Sequence, residues 1–239
     1  MAGDLTDQPR LHAVARSLRR AAQRVSMRHG RFAKVRPLSM DFGFDRGTPI
    51  DRGYIEAFLQ ANAAKIRGRV LEIGDDGYSR QFGGSAITRQ DILHVHPGNP
   101  LATIVGDLSD PAVLPEAAFD CVILTQTIHL IFDLPAAMRQ IHRALRPGGV
   151  VLITVPGITP VDRKEWGSIW YWSLTPAALK RLLVETFPGG SFEEMAFGNL
   201  YAATAFLHGA GLEEVNRNKL APYDPAFPVI VAACAQRSA

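Results

Sequence analysis

The chain has 239 residues, 47% of them apolar and 21% charged, which is enough to bury a full core as one large domain and excludes disorder as an overall description. No window approaches the roughly 18 consecutive apolar residues of a membrane span, and the opening MAGDLTDQ lacks the charged start and apolar run of a secretory leader, so the sequence reads as a soluble cytoplasmic protein. The net charge of +3 conceals an asymmetry: Arg10 to Arg36 holds eight arginines, one lysine and no acidic residue, whereas the rest carries 17 basic against 23 acidic residues.

Within that basic stretch Leu11, Val14, Ala15, Leu18, Ala22 and Val25 recur at helical spacing with arginines opposite, which predicts an amphipathic helix. Such a helix can lie on the domain, build a homodimer, or meet an anionic partner. Gly30 and Pro37 end the pattern, and DFGFDRGTPIDRG reads as an ordered loop, so residues 1–50 are expected to form a basic helix and loop ahead of a domain over 51–239. From residue 54 helices and apolar strands alternate. YIEAFLQANAAKI reads as a helix, RVLEI, DILHV and ATIVGD as strands, and PAVLPEA as a short helix. The strand FDCVILTQ, the helix DLPAAMRQIHRAL, the stop RPGG and the strand VVLITV follow. A further helix is capped by Thr175 with Pro176 at its first position; then come SFEEMAF, a helical stretch around LYAATAFLHGAG, and a final strand PVIVAACA. Fully apolar strands between helices indicate a parallel sheet covered on both faces, an α/β doubly wound fold with its crevice beyond the carboxyl ends of the strands. Cys121 and Cys234 sit inside apolar runs and read as buried free thiols.

VLEIG on the first strand, GDL after the third, FDCVILTQTIHLI at the fourth and LRPGGVVLITVPG leading into the fifth resemble, in that order and spacing, the class I S-adenosylmethionine-dependent methyltransferases. The resemblance implies a Rossmann-like sheet of about seven strands with an antiparallel last strand, and S-adenosylmethionine as cofactor. More narrowly, DRGTPIDRGYIEAFL, VLEIGDDGYSRQFGG and LHVHPGNP are similar to members associated with sugar and polysaccharide biosynthesis. By the family's pattern Glu72 and Gly74 match the cofactor loop, while Asp76 and Tyr78 stand where further glycines are expected. His94, 22 residues after Glu72, takes the place of a ribose-binding acid; a neutral imidazole offers one acceptor nitrogen where a carboxylate offers two oxygens. Asp107 and Leu108 match the adenine position, and Gln126 falls at the end of the fourth strand. Asp75 and Asp76 are able to repel a methionyl carboxylate or to attract the amino group or sulfonium.

Methyl transfer from a sulfonium depends on alignment and exclusion of water, and a poorly acidic hydroxyl also calls for a base. His129 is the first candidate base, with packing at the strand–helix turn as the other role open to it. Asp51 either caps a helix or faces substrate. Arg52 and Tyr54 suit a polar or anionic acceptor, and Trp166 and Trp170 suit a lid over a sugar ring or planar acceptor, or plain core. No recognised metal-ligand set is present: His94 and His96 with Asp91 lack a completing ligand. The expectation is methylation of a small-molecule oxygen, such as that of a sugar or glycoside. A fold repurposed as a non-catalytic partner is the alternative. A nucleic-acid methyltransferase gripping phosphates with the basic helix ranks third, because only Phe32 interleaves with the arginines.

Overall fold

The structure is a computed structural model describing residues 35–239, of which Leu38–Ala239 form one compact unit. The basic amphipathic helix expected over residues 10–32, and any dimer it would build, lie outside the described residues.

The first helix, α1 (Ile50–Ala61), starts four residues earlier than the apolar spacing alone predicts, because Pro49 enters it in an extended conformation (φ −56°, ψ 149°) that sets up the turn. Asp51 is therefore not its cap. It sits inside the first turn, where a negative charge suits the helix dipole. The strands are β1 (Gly68–Ile73), β2 (Ile87–His94), β3 (Ile104–Val105), β4 (Phe119–Thr125), β5 (Leu145–Pro156), β6 (Ser191–Phe197) and β7 (Ile230–Gln236), ordered β3-β2-β1-β4-β5-β7-β6. The first five pair in parallel, and β7 runs antiparallel to both β5 and β6, as the family resemblance implies.

Alternate side chains of each central strand supply opposite faces. Val122, Leu124, Val151 and Ile153 pack under α2 (Leu134–Ala144) and α3 (Pro176–Thr186); Cys121, Ile123, Val150 and Leu152 pack under α1 and α4 (Leu200–Leu207). The last three helices each begin on a side-chain cap: Asp133 accepts from the Ala136 amide at 2.9 Å, Thr175 from Ala178 at 3.2 Å, and Asn199 from Ala202 at 3.0 Å. Cys121 and Cys234 are buried free thiols, and burial pushes the Cys121 thiol up, which makes it inert.

One local expectation fails, and one strand starts early. PAVLPEA forms turns instead of a helix: Pro111 and Pro115 lie too close together to leave a run of backbone donors, and only Leu114 is buried. RPGG follows the end of α2 at Ala144, as expected, but it lies within β5, which starts at Leu145 ahead of VVLITV; there the pairing of Phe119 with Leu145 slips register before Cys121 meets Val150. Gly149 is required there, since a Cβ would come within 2.9 Å of the Phe119 carbonyl oxygen. Among the described residues no helix is long and apolar enough to cross a membrane.

Candidate active site

A cavity of about 920 Å³ opens beyond the carboxyl ends of β1, β2 and β4, where a doubly wound sheet places its crevice. Its floor comes from the turns after those strands, and its roof from the loop of residues 38–49 and from residues 157–173. The Lys164 Nζ–Asp41 Oδ2 ion pair, 2.7 Å long, ties the two roof segments together.

The turn after β1 is built by Glu72. Its carboxylate, 2% exposed, points along the strand axis into the next turn, where it accepts the backbone amides of Tyr78 (3.1 Å) and Ser79 (2.8 Å). Burial nevertheless raises the Glu72 pKa. Those two bonds fix a GDDGY loop that lacks most of the glycines expected of it. Gly74 adopts φ +88°, open only to glycine at little strain, and a Cβ there would meet nothing within 4 Å, so the backbone borders free space. Asn99 Nδ2 donates to the Gly74 carbonyl at 2.6 Å and Asp75 Oδ1 accepts from Gly77 at 2.9 Å. Asp76 is not on the cavity wall, contrary to the sequence expectation. It pairs with Arg80 at 2.6 Å, one turn along the helical segment that Glu72 starts.

At the end of β2, His94 lines the cavity. Its Nδ1 lies 2.9 Å from the His96 carbonyl oxygen and 3.2 Å from the His96 amide; either bond occupies Nδ1 and leaves Nε2 for a ligand. The His94 Nδ1 is thus taken up by the His96 backbone, and among the described residues no group of three or more His, Cys, Asp or Glu could hold a metal ion. Asp107 Oδ1 accepts both the amide (2.8 Å) and the hydroxyl (2.7 Å) of Ser109, so the carboxylate is held still with Oδ2 unengaged; Leu108 beside it is buried. Gln126, at the end of β4, has φ +45°, a strained position for a side chain with a Cβ, held by its amide donating to Thr154 at 2.8 Å.

His129 is 1% exposed, and neither ring nitrogen has a partner. Burial pushes its pKa down to about 3, so the ring is neutral at pH 7. Trp170 leans on it with ring centroids 4.3 Å apart, its own indole N–H buried and unpartnered; Phe42, itself at φ +55°, stacks on the far side of Trp170 at 5.9 Å. Trp166 also lines the cavity, edge-on to His94 at 6.5 Å. Asp51 lines it too, with a pKa pushed up to about 6 by burial despite the Arg52 charge beside it. Arg52 faces the same wall, donates to the Tyr78 hydroxyl and lies over the Phe44 and Tyr78 rings at 5.6 and 5.4 Å. Tyr54, by contrast, is turned away: two positions on from Arg52 it falls on the helix face packed against β6, where it stacks on Phe197 and donates to the Leu220 carbonyl at 2.8 Å. The sequence reading missed Asn99, Phe42 and the Lys164–Asp41 tie. Asn99 carried only a turn signal, and the other three come together from segments over 120 residues apart in the chain.

A family model described as a methyltransferase domain matches residues 42–196, which takes in the roof loop, the β1 turn and the ends of β2 and β4. The chain belongs to the methyltransferase family. Its fold is that of the class I S-adenosylmethionine-dependent members: a solved S-adenosylmethionine-dependent methyltransferase from Mesorhizobium loti superposes with a TM-score of 0.52 at 17% identity, covering 79% of this chain and 98% of that one. One from Archaeoglobus fulgidus gives 0.51 at 13% identity, covering 78% and 94%. Among curated relatives, nocamycin O-methyltransferase from Saccharothrix syringae is 31% identical over 115 residues, or 46% of this chain. Malonyl-[acyl-carrier protein] O-methyltransferase from Serratia marcescens is 33% identical over 67 residues, or 28% of this chain. The matches span 40% and 25% of those relatives' own lengths.

The residues present fit the family's cofactor. The Gly74 backbone borders open space, His94 Nε2 and Asp107 Oδ2 are unengaged, and the buried nitrogens of His129 and Trp170 lack partners.

Proposed function

We propose that this methyltransferase-family chain transfers the methyl group of S-adenosylmethionine to an oxygen of a small molecule. The observation that supports the reading is a single cavity, polar at the β1–β3 end and aromatic at the β4 end, of a size at the upper edge of the roughly 300–1,000 Å³ typical of small-molecule sites. When bound, the cofactor supplies the electrophilic methyl. In this reading Gly74 admits its methionyl arm, His94 through Nε2 holds the ribose, Asp107 and Leu108 hold the adenine, and Gln126 borders the reacting carbons. Glu72 acts one step back, by fixing the loop. The aromatic roof of Trp166, Trp170 and Phe42 excludes water from a displacement in which charge disperses.

The chemistry at the β4 end favours an acceptor oxygen that is already acidic, such as a carboxylic acid, enol or phenol. His129 is too weak a base for an aliphatic hydroxyl, and Asp51, with its pKa of about 6, is the stronger base of the two. The names of two curated relatives, both O-methyltransferases, support oxygen as the methylated atom. A sugar or glycoside acceptor is the second reading, favoured by Trp166, a half-buried ring on the cavity wall. Incubation with radiolabelled S-adenosylmethionine and parallel panels of small carboxylic acids, phenols and glycosides tests both. Label on acids or phenols supports the first reading, label on glycosides the second, and label on none with cofactor bound supports a repurposed, non-catalytic fold.

A further inference from the structure

Arg52 lines the cavity as a cation near Asp51 and Asp75, yet neither carboxylate reaches its guanidinium within ion-pair distance. Its side chain is half-buried, its guanidinium donates a hydrogen bond to the neutral Tyr78 phenol, and it lies over the faces of Phe44 and Tyr78. Among the described residues no carboxylate forms an ion pair with it. The nearby acids have other bonds: Asp51 accepts the Arg52 backbone amide at 2.9 Å, and Asp75 accepts that of Gly77. A cation drawn partly out of water without a counterion in contact is unfavourable, and a guanidinium fork held on an aromatic wall is shaped for a planar carboxylate. The fork faces the cavity beside Gly74 and Asp75.

We propose that Arg52 anchors the methionyl carboxylate of the cofactor, and that this is how a loop reading GDDGY works. The inference rests on the methyltransferase reading. Asp76 and Tyr78 stand in place of the second and third glycines; the Tyr78 amide is already taken by Glu72, and the Tyr78 hydroxyl holds Arg52 in position. The binding group is thus moved from loop backbone to the first turn of α1. Asp75, on the same wall, supplies the opposite charge for the α-amino group, which turns the apparent liability of an acidic loop into a match for a zwitterion.

The test is calorimetric titration of the full chain with three ligands: S-adenosylhomocysteine, its decarboxylated analogue, and 5′-methylthioadenosine, which lacks the whole amino-acid arm. The wild type is expected to prefer S-adenosylhomocysteine over the decarboxylated analogue. Arg52→Ala is expected to weaken S-adenosylhomocysteine about tenfold or more, to erase that preference, and to leave 5′-methylthioadenosine unchanged. Arg52→Lys, which keeps the charge but loses the fork, should fall between. Tyr78→Phe should show the same ligand-selective loss to a smaller degree, since Tyr78 positions Arg52. Equal weakening of all three ligands in both Arg52 variants, or no weakening of any, overturns the proposal while leaving the methyltransferase reading standing. A wild type that binds none of the three overturns both.

Discussion

Two groups at the cavity, the buried His129 and the half-buried Asp51, titrate in opposite directions over the same pH range, and their effects on stability should offset each other in the wild type. The folded pKa of His129 is about 3 against an ordinary value of 6.5, so between these the unfolded chain carries one more proton, and stability rises with pH. The folded pKa of Asp51 is about 6 against 3.8, so the folded chain carries the extra proton, and stability falls as pH rises. Each slope amounts to at most about 1.4 kcal/mol per pH unit, and they overlap from about pH 4 to pH 6. Asp51→Asn removes the falling limb: relative to wild type its stability should gain up to about 3 kcal/mol between about pH 4 and pH 6. His129→Gln removes the rising limb and should lose stability relative to wild type over the same interval. Urea unfolding midpoints at half-unit pH steps read both differences. Difference curves that are flat for both variants would refute the reasoning, because they would mean that neither group is held away from water and charge in the fold.

Glu72→Gln leaves one loop amide facing an amide nitrogen and should cost about 3 kcal/mol, seen as a drop of about 6–12 °C in thermal midpoint with faster hydrogen exchange at Tyr78 and Ser79. Gly74→Ala meets no atom in the fold, so its stability cost should be only the backbone strain of about 1–2 kcal/mol, whereas S-adenosylhomocysteine titration should show a larger loss as the new methyl enters the cavity. Asp91, mostly buried, would be raised by burial alone, but its bond to Arg69 and the charges of Arg69 and Arg89 hold its pKa below the ordinary range. The stability it contributes is full above the ordinary carboxylate range and is lost as pH falls through the lowered folded value. Asp91→Asn should therefore destabilise at neutral pH by about 3 kcal/mol and flatten the acid limb of a stability–pH curve.

Apolar periodicity carried the sheet: each of β1, β4 and β5 is a run of buried side chains on both faces, and such runs between helices admit few arrangements. The cap at Thr175 fell where expected, whereas Asp51, the other cap candidate, lies inside the first turn of α1. What misled was proline and glycine. Pro49 started α1 early, the closely spaced Pro111 and Pro115 prevented a helix, and Gly148–Gly149 let β5 start at Leu145, ahead of the expected VVLITV. At the site, the residues on strand ends and their turns, Gly74, His94, Asp107, Gln126 and His129, were legible because the fold fixes where strand ends meet. Asp76 and Tyr54 were not, because one residue of phase on a helical segment turns a side chain from the cavity to a neighbour. Phe42 on Trp170, and Asp41 on Lys164, are long-range meetings of loops for which a single sequence holds no local signal.

The measurement that bears most directly on the central claim is calorimetric titration of the wild-type chain with S-adenosylhomocysteine. Saturable one-to-one binding, competed by S-adenosylmethionine and lost in Gly74→Val, is the predicted result. No heat of binding from either ligand up to about 1 mM would contradict the account and leave the cavity without its cofactor.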